Sequence, residues 1–415
     1  MDFVGKLFKG DRVIWIIFLF LCLISIVEVY SASSTLTYKS GNHWGPITQH
    51  IIILTVGVVI VLLVHNINYK WYQVLPIFLV PFSAILLAVV SLLGAMTNGA
   101  ARWMNIFGIQ FQPSEIAKMA VVIATALILS KMQEENGANR KAFKYIMWIT
   151  AVICLLIAPE NLSTAALLFG VVVLMMFIGR VPFGQLGKMI GILALAGALG
   201  AGTLVAIPSD TLHNTPGLHR LETWQNRFKN FFENKDAVPP EKFDIDKDAQ
   251  IAHANIAIAT SNVVGKMPGN SIQRDFLSQA FSDFIFAIII EELGLIGGAF
   301  VVFLYICLLV RAGKIAKKAK GNFATFLVMG IGLILVTQAI LNMCVAVGLF
   351  PVTGQPLPLI SKGGTSTLIN CVYIGMILSV SRYTLEQEEK EKLAGEALIQ
   401  DEPTAESLQD EVIIE

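Results

Sequence analysis

The chain has 415 residues, of which 55% are hydrophobic and only 14% charged, and its mean hydropathy is +0.68. A soluble protein could not cover so much apolar surface, so the composition excludes that class and makes lipid the solvent. The formal net charge is zero, which leaves no basic face for nucleic acid.

Crossing the hydrocarbon core takes roughly 20 mainly apolar residues. Stretches that qualify are 13–32, 47–66, 72–93, 114–133, 143–160, 161–180, 183–207, 284–311, 324–348 and 364–384. They predict an all-α membrane protein, a polytopic bundle of about ten helices. The fifth and sixth are parted only by Pro159-Glu160-Asn161, a tight polar turn. Ser31-Ala32-Ser33 resembles a signal cleavage site, but the apolar run before it is longer than a signal core, so the first helix is read as uncleaved. Cys22, Cys154, Cys307, Cys344 and Cys371 all lie in apolar runs with no CxxC spacing, which argues against disulfides and zinc.

Lys and Arg fall on alternate connections, from Lys6, Lys9 and Arg12 through Lys70, Lys131 to Lys144, Arg180 and Lys188, Arg311 to Lys320, and Arg382. The intervening short connections hold only Lys39, Arg102 and Lys362. By the positive-inside rule both termini are cytoplasmic and the long connection 208–282 is outside. The reading divides the chain into a cytoplasmic N-terminus (1–12), a membrane domain (13–384) containing that connection, and an acidic, disordered cytoplasmic tail (385–415). Within the connection, Arg227 to Phe232 reads as an interfacial amphipathic element. Asp244, Asp246 and Asp248 imitate a calcium loop but lack its Gly and closing Glu, so calcium is rejected.

Ionisable groups at membrane depth default to a functional hypothesis. The first cluster is Arg102-Trp103 with Gln112 to Lys118, where Ser114 reads as the helix N-cap and Glu115 and Lys118 share a face. A buried register-fixing pair and a substrate contact are both open for Glu115 and Lys118. The second is Ser282-Asp283, followed by Glu291 and Glu292; Asp283 reads as a helix N-cap or as a partly desolvated general base. Gly294 and Gly298 have the GxxxG spacing of a close helix contact. The third is the Pro- and Gly-rich run Pro351 to Ser366, a cavity-lining loop whose Ser361, Lys362 and glycine amides could hold an anion. Gln338 and Asn342 are spaced to hydrogen-bond across the bundle.

These three clusters, in this order on about ten helices, resemble the SEDS family, to which FtsW, RodA and SpoVE belong. The family's pattern stands here as Arg102-Trp103 with Gln112 to Lys118, Ser282 to Gly297, and Gln338, Asn342 and Pro351 to Ser366. Pro159 to Thr164, Gly265 to Ser271 and Lys362 depart from it. The resemblance implies a peptidoglycan glycosyltransferase that polymerises lipid II with inversion at the outer membrane face. It makes Asp283 the base and Arg102, Trp103, Lys118, Arg227, Ser361 and Lys362 the substrate-binding candidates. Glu115, Glu291, Glu292, Gln338 and Asn342 would support them. No cofactor is firmly implied, although a divalent cation, magnesium or manganese, suits the pyrophosphate. The implied partners are lipid II, a class B penicillin-binding protein and other divisome proteins. The Pro351 loop and the acidic tail lean towards septal division. A lipid II flippase and an elongation polymerase are the alternatives.

Overall fold

The computed structural model describes residues 8–32, 45–93, 95–97, 100–106, 109–206, 225, 245–277 and 280–400. Its long helices follow the apolar runs. They are α1 (Arg12–Ala32), α2 (Gly45–Val64), α3 (Leu75–Leu93), α4 (Pro113–Lys131), α5 (Arg140–Ile157), α6 (Leu162–Ile178) and α7 (Phe183–Ala206). After α8 (Ile245–Ala259), within the long connection, come α9 (Ile285–Lys318), α10 (Asn322–Ala346) and α11 (Gly364–Gln400). The ten expected spans are thus all helical. Among the described residues, seven helices (α1 to α4 and α9 to α11) are long and apolar enough by length and composition to cross a membrane. The chain is a multi-pass membrane protein.

Local chemistry sets the helix ends. Asn139 caps α5 by accepting from the Lys141 amide (2.8 Å), and Asn161 caps α6 by accepting from that of Thr164 (3.1 Å), so Pro159-Glu160-Asn161 is the tight turn expected. At α4 the cap is Gln112 rather than Ser114, with Pro113 in the first helical position. Proline's fixed φ suits that position, and its missing N–H would have had no partner there. The last helix continues to Gln400, so the stretch 385–400, expected to be disordered, is helical. Its Glu386 and Glu388 pair with Lys9 and Arg382 and with Lys318.

The two small sheets were not anticipated. One is a three-stranded antiparallel ribbon of β1 (Ala95–Thr97), β2 (Ala100–Ile106) and β3 (Ile109–Phe111) between α3 and α4. The other pairs β4 (Gln133–Glu134) with β5 (Gly137–Ala138) at the opposite end.

The inner helices are α4, α10 and α11; α2 and α3 present most of their surface outward. α10 packs on α9, α4 and α6, and α1 packs on α9. In α9, Gly294 has φ 72 and ψ −175, so the helix is two pieces meeting at a break. A Cβ at Gly294 would lie 2.2 Å from the Val263 carbonyl oxygen, and one at Gly265 would lie 2.3 Å from the Gly294 nitrogen. The expected GxxxG contact between helices is therefore not what these glycines provide. Gly294 lets residues 263–265 of the long connection pack directly against the helix's own backbone at the break, and Gly298 faces Ile290 of the same helix.

That break leaves backbone groups needing partners, which hydrocarbon cannot supply. The turn segment 262–267, left-handed at Asn262, Gly265 and Met267, provides them. Leu295 N–H and Ile296 N–H donate to Asn262 and Val263 (both 3.3 Å), and Lys266 N–H and Met267 N–H donate to Glu291 and Glu292 (2.9 and 2.8 Å).

Candidate functional site

The three polar clusters meet at the bundle end bearing the β1–β3 ribbon and the long connection. Residues 281–283 lead into α9, whose cap is Phe284, with no side-chain capping bond. The N-cap reading of Asp283 is therefore not realised. The backbone of these residues is clamped instead. Lys362 N–H donates to the Phe281 carbonyl (2.9 Å), Ser361 Oγ to that of Ser282 (2.6 Å), and Asn342 Nδ2 to that of Asp283 (2.9 Å). Three successive carbonyls are thus held by the 347–363 loop and α10. The Asp283 side chain is half-buried, and its Oδ1 accepts from Ser282 Oγ at 3.0 Å.

The clamping loop is itself pinned. Asn342 Nδ2 also donates to Gln355 O (2.7 Å), Gln338 Nε2 to Pro356 O (3.0 Å), and Gln355 Nε2 to Thr164 Oγ1 (2.5 Å). Gln338 and Asn342, one turn apart, therefore do reach across as expected. From α1 and α2, Ser25 Oγ donates to Ile360 O (2.6 Å) and contacts His50 Nε2 (2.8 Å). Because Ser25 spends its proton on the carbonyl, it accepts from His50, which must carry its proton on Nε2. The motifs did not flag Ser25 or His50, each a polar residue in an apolar run, the one signal that could have marked them; Thr164 stands at the end of the departing Pro159 stretch with no role assigned.

Glu115 and Lys118 form a buried pair (2.8 Å), and Lys118 Nζ also reaches Gln338 Oε1 (2.8 Å). Lys118 is only 1% exposed, so in this structure the pair is enclosed within the bundle. Ser361, proposed as a substrate contact, is 2% exposed. It donates to Ser282 and accepts from Leu357 N–H (2.8 Å), so its hydroxyl belongs to the scaffold. Lys362 stands differently. Its Nζ lies over the Phe281 ring, 5.6 Å from the centroid, and burial pushes its ammonium below the ordinary lysine value. An anion beside it would favour the charged form.

Arg102 and Trp103 lie on β2, where Trp103 is in register with Ala95; their side chains are outside the described set, as is all of Arg227. So is Asp244, while Asp246 and Asp248 fall on α8, a helix and not a calcium loop.

Glu291 and Glu292 are both fully buried and fasten the long connection. Glu291 accepts from Lys266 Nζ (2.7 Å), Ser271 Oγ (2.5 Å) and two backbone amides. Glu292 accepts from Ser271 N–H (3.2 Å) and Ser31 Oγ, with Arg274 at 3.7 Å. The sequence marked these acids, and Lys266 and Ser271 only as part of a departure from the family pattern; it missed Arg274 and the link between them. Two adjacent buried carboxylates require nearby donors, and that requirement was the available signal.

Comparison with known proteins gives consistent matches. The model of the FtsW, RodA and SpoVE family, described as cell cycle protein, matches residues 11–386. A probable peptidoglycan glycosyltransferase FtsW from Halomonas elongata is 32% identical over 382 residues, covering 90% of this chain and 91% of that protein. The stage V sporulation protein E of Bacillus subtilis is 28% identical, covering 90% and 97% respectively. Among solved structures, a chain of a peptidoglycan synthase complex studied for its coordination of polymerization and crosslinking superposes with a TM-score of 0.70. It is 22% identical, with 90% of this chain and 98% of that one covered. A match that runs from the start of the first helix well into the last is more than a shared motif: the chain belongs to the FtsW, RodA and SpoVE family of cell cycle proteins.

Proposed function

We propose that the protein is a peptidoglycan glycosyltransferase that polymerises lipid II, with Asp283 as general base. The observation that carries this is the clamp on Phe281, Ser282 and Asp283, which fixes the backbone bearing a half-buried carboxylate. Rigid placement of that kind is what a proton acceptor needs. In the reaction, the acceptor sugar's 4-hydroxyl oxygen forms a bond to the donor's anomeric carbon and its proton passes to Asp283. The bond from that carbon to the pyrophosphate breaks, and its electron pair leaves with the undecaprenyl pyrophosphate. Attack from the opposite face turns an α-linked donor into a β-1,4 glycan. Lys362 is the described cation best suited to the leaving group, joined by Arg102 and Arg227 from the β ribbon and the long connection. A divalent cation would add to that neutralisation. Among the described residues no three His, Cys, Asp or Glu side chains group to hold one, so its ligands would come largely from the phosphates.

The distribution of Lys and Arg supports an orientation with both termini in the cytoplasm and Asp283 at the outer face. The role proposed is septal wall synthesis beside a class B penicillin-binding protein and other divisome proteins; the likeness to a chain of a peptidoglycan synthase complex that couples polymerization to crosslinking supports the transpeptidase partner. A lipid II flippase is the second reading. It is favoured by Glu28, fully buried in α1, whose carboxylate oxygens find no hydrogen-bond partner among the described residues.

Purified with its transpeptidase and given lipid II, the wild-type protein is expected to make glycan. Asp283→Asn should lower the rate on the order of a hundredfold or more with an unchanged melting temperature. Glycan made at the normal rate by Asp283→Asn would remove the base assignment. Lipid II translocation in vesicles without polymer would favour the flippase.

A further inference from the structure

We infer that the end of the bundle opposite Asp283 carries a binding site for the phosphate headgroup of an anionic membrane lipid. A cavity of about 680 Å³ lies there between the start of α1, the end of α9 and the middle of α11. Five cations line it, namely Arg12, Arg311, Lys314, Lys317 and Lys318, against one carboxylate, Asp11. Asp11 is spent on Arg311 (2.6 Å) and Lys318 pairs with Glu388 (3.3 Å). Arg12, Lys314 and Lys317 are exposed and have no carboxylate partner among the described residues. The remaining wall is made of Gly10, Ile315, Leu385 and the buried Ser381 and Thr384. Clustered cations around a cavity of this size select an anion with several acceptor oxygens, and the phosphodiester of a lipid headgroup fits that chemistry.

The apolar surface beside the cavity distinguishes a lipid from a free phosphate. α1 and α9 pack together. Exposed Ile16 and Leu19 lead away from Arg12 on α1, and exposed Val310, Ile306 and Phe303 lead away from Arg311 on α9. Phe20 and Phe300 then meet edge to face across the two helices at 5.8 Å. The charges sit where both helices stop being apolar, at the level of a headgroup, with an acyl-sized track running from them towards mid-bilayer. A soluble anion has no use for that track.

The test uses the full-length protein in mild detergent with equal parts phosphatidylglycerol and phosphatidylcholine, bound lipid being counted by native mass spectrometry. Wild type should retain phosphatidylglycerol about tenfold over phosphatidylcholine. The Arg12→Gln, Lys314→Gln, Lys317→Gln variant should lose that preference; Arg311, which holds Asp11, is left intact. A control removing Lys131, Lys141 and Lys144 from the same end should keep it. Equal loss in both variants, or preference retained in the first, would overturn the site. Displacement of the lipid by millimolar inorganic phosphate would overturn the lipid as ligand; unchanged lipid retention under phosphate supports it. Melting temperatures of both variants check folding.

Discussion

The carbonyls of Phe281, Ser282 and Asp283 are each taken by a different donor, so losing one donor leaves a partly buried acceptor unpaired. Ser361→Ala would also strand the Leu357 amide, and should cost about 2 kcal/mol of stability, read from denaturant or thermal unfolding. Glycan synthesis should fall in that variant although Asp283 is intact. Lys362 brings a pH dependence. Its burial lowers the pKa from the ordinary 10.5, so the charged form is lost at lower pH than for a free lysine. If that charge serves the leaving pyrophosphate, the alkaline limb of the rate profile should begin below 10.5. Lys362→Arg, which stays charged, should push the limb upward. At this scale the sequence showed which residues mattered but not what each touched. Ser361 and Lys362 are adjacent and polar, yet one is scaffold and the other is free to meet an anion, because only their backbone positions set which side chain turns inward.

At the scale of elements, α9 departs most from expectation. Its 34 residues would make a straight rod of roughly 50 Å, longer than a bilayer core of about 30 Å, and the break at Gly294 resolves this. The upper piece, Ile285 to Leu293, is buried in protein nearly throughout, while the lower piece is exposed along one face. Hydropathy could not reveal the division, since both pieces are apolar and a GxxxG spacing reads alike whether it serves two helices or a passing loop. Gly294→Ala should lose on the order of 3 kcal/mol, because alanine pays for the positive φ and its Cβ meets the Val263 carbonyl. Lys266→Met leaves the buried Glu291 without its ion-pair partner. It should destabilise by about 3 kcal/mol, with proteolytic nicking of the long connection as a second readout. The ten helices, by contrast, were legible in full, because about 20 apolar residues in a row have few other solutions in lipid.

For the whole molecule, the alternation of basic and non-basic connections predicts a labelling pattern. In a background lacking the five native cysteines, Thr353→Cys should react with an impermeant thiol reagent in intact cells, and Lys141→Cys only after lysis. The reverse pattern would invert the proposed topology. The convergence of the three polar clusters at one end was also readable, because each begins or follows a helix on the same side of the alternation. The convergence of α1, α9 and the long connection on Glu291 and Glu292 was not. It joins Ser31 to Ser271 and Arg274, Arg274 lying 243 residues further along the chain, and no local pattern encodes such a meeting.

The splice at Gly294 has a mechanical meaning. Residues 262–267 grip both pieces of α9, taking Glu291 and Glu292 above the break and Leu295 and Ile296 below it. These residues are thus a handle bolted to the shaft, and a load applied to 262–267 reaches the half-helix beneath Asp283 directly through those hydrogen bonds.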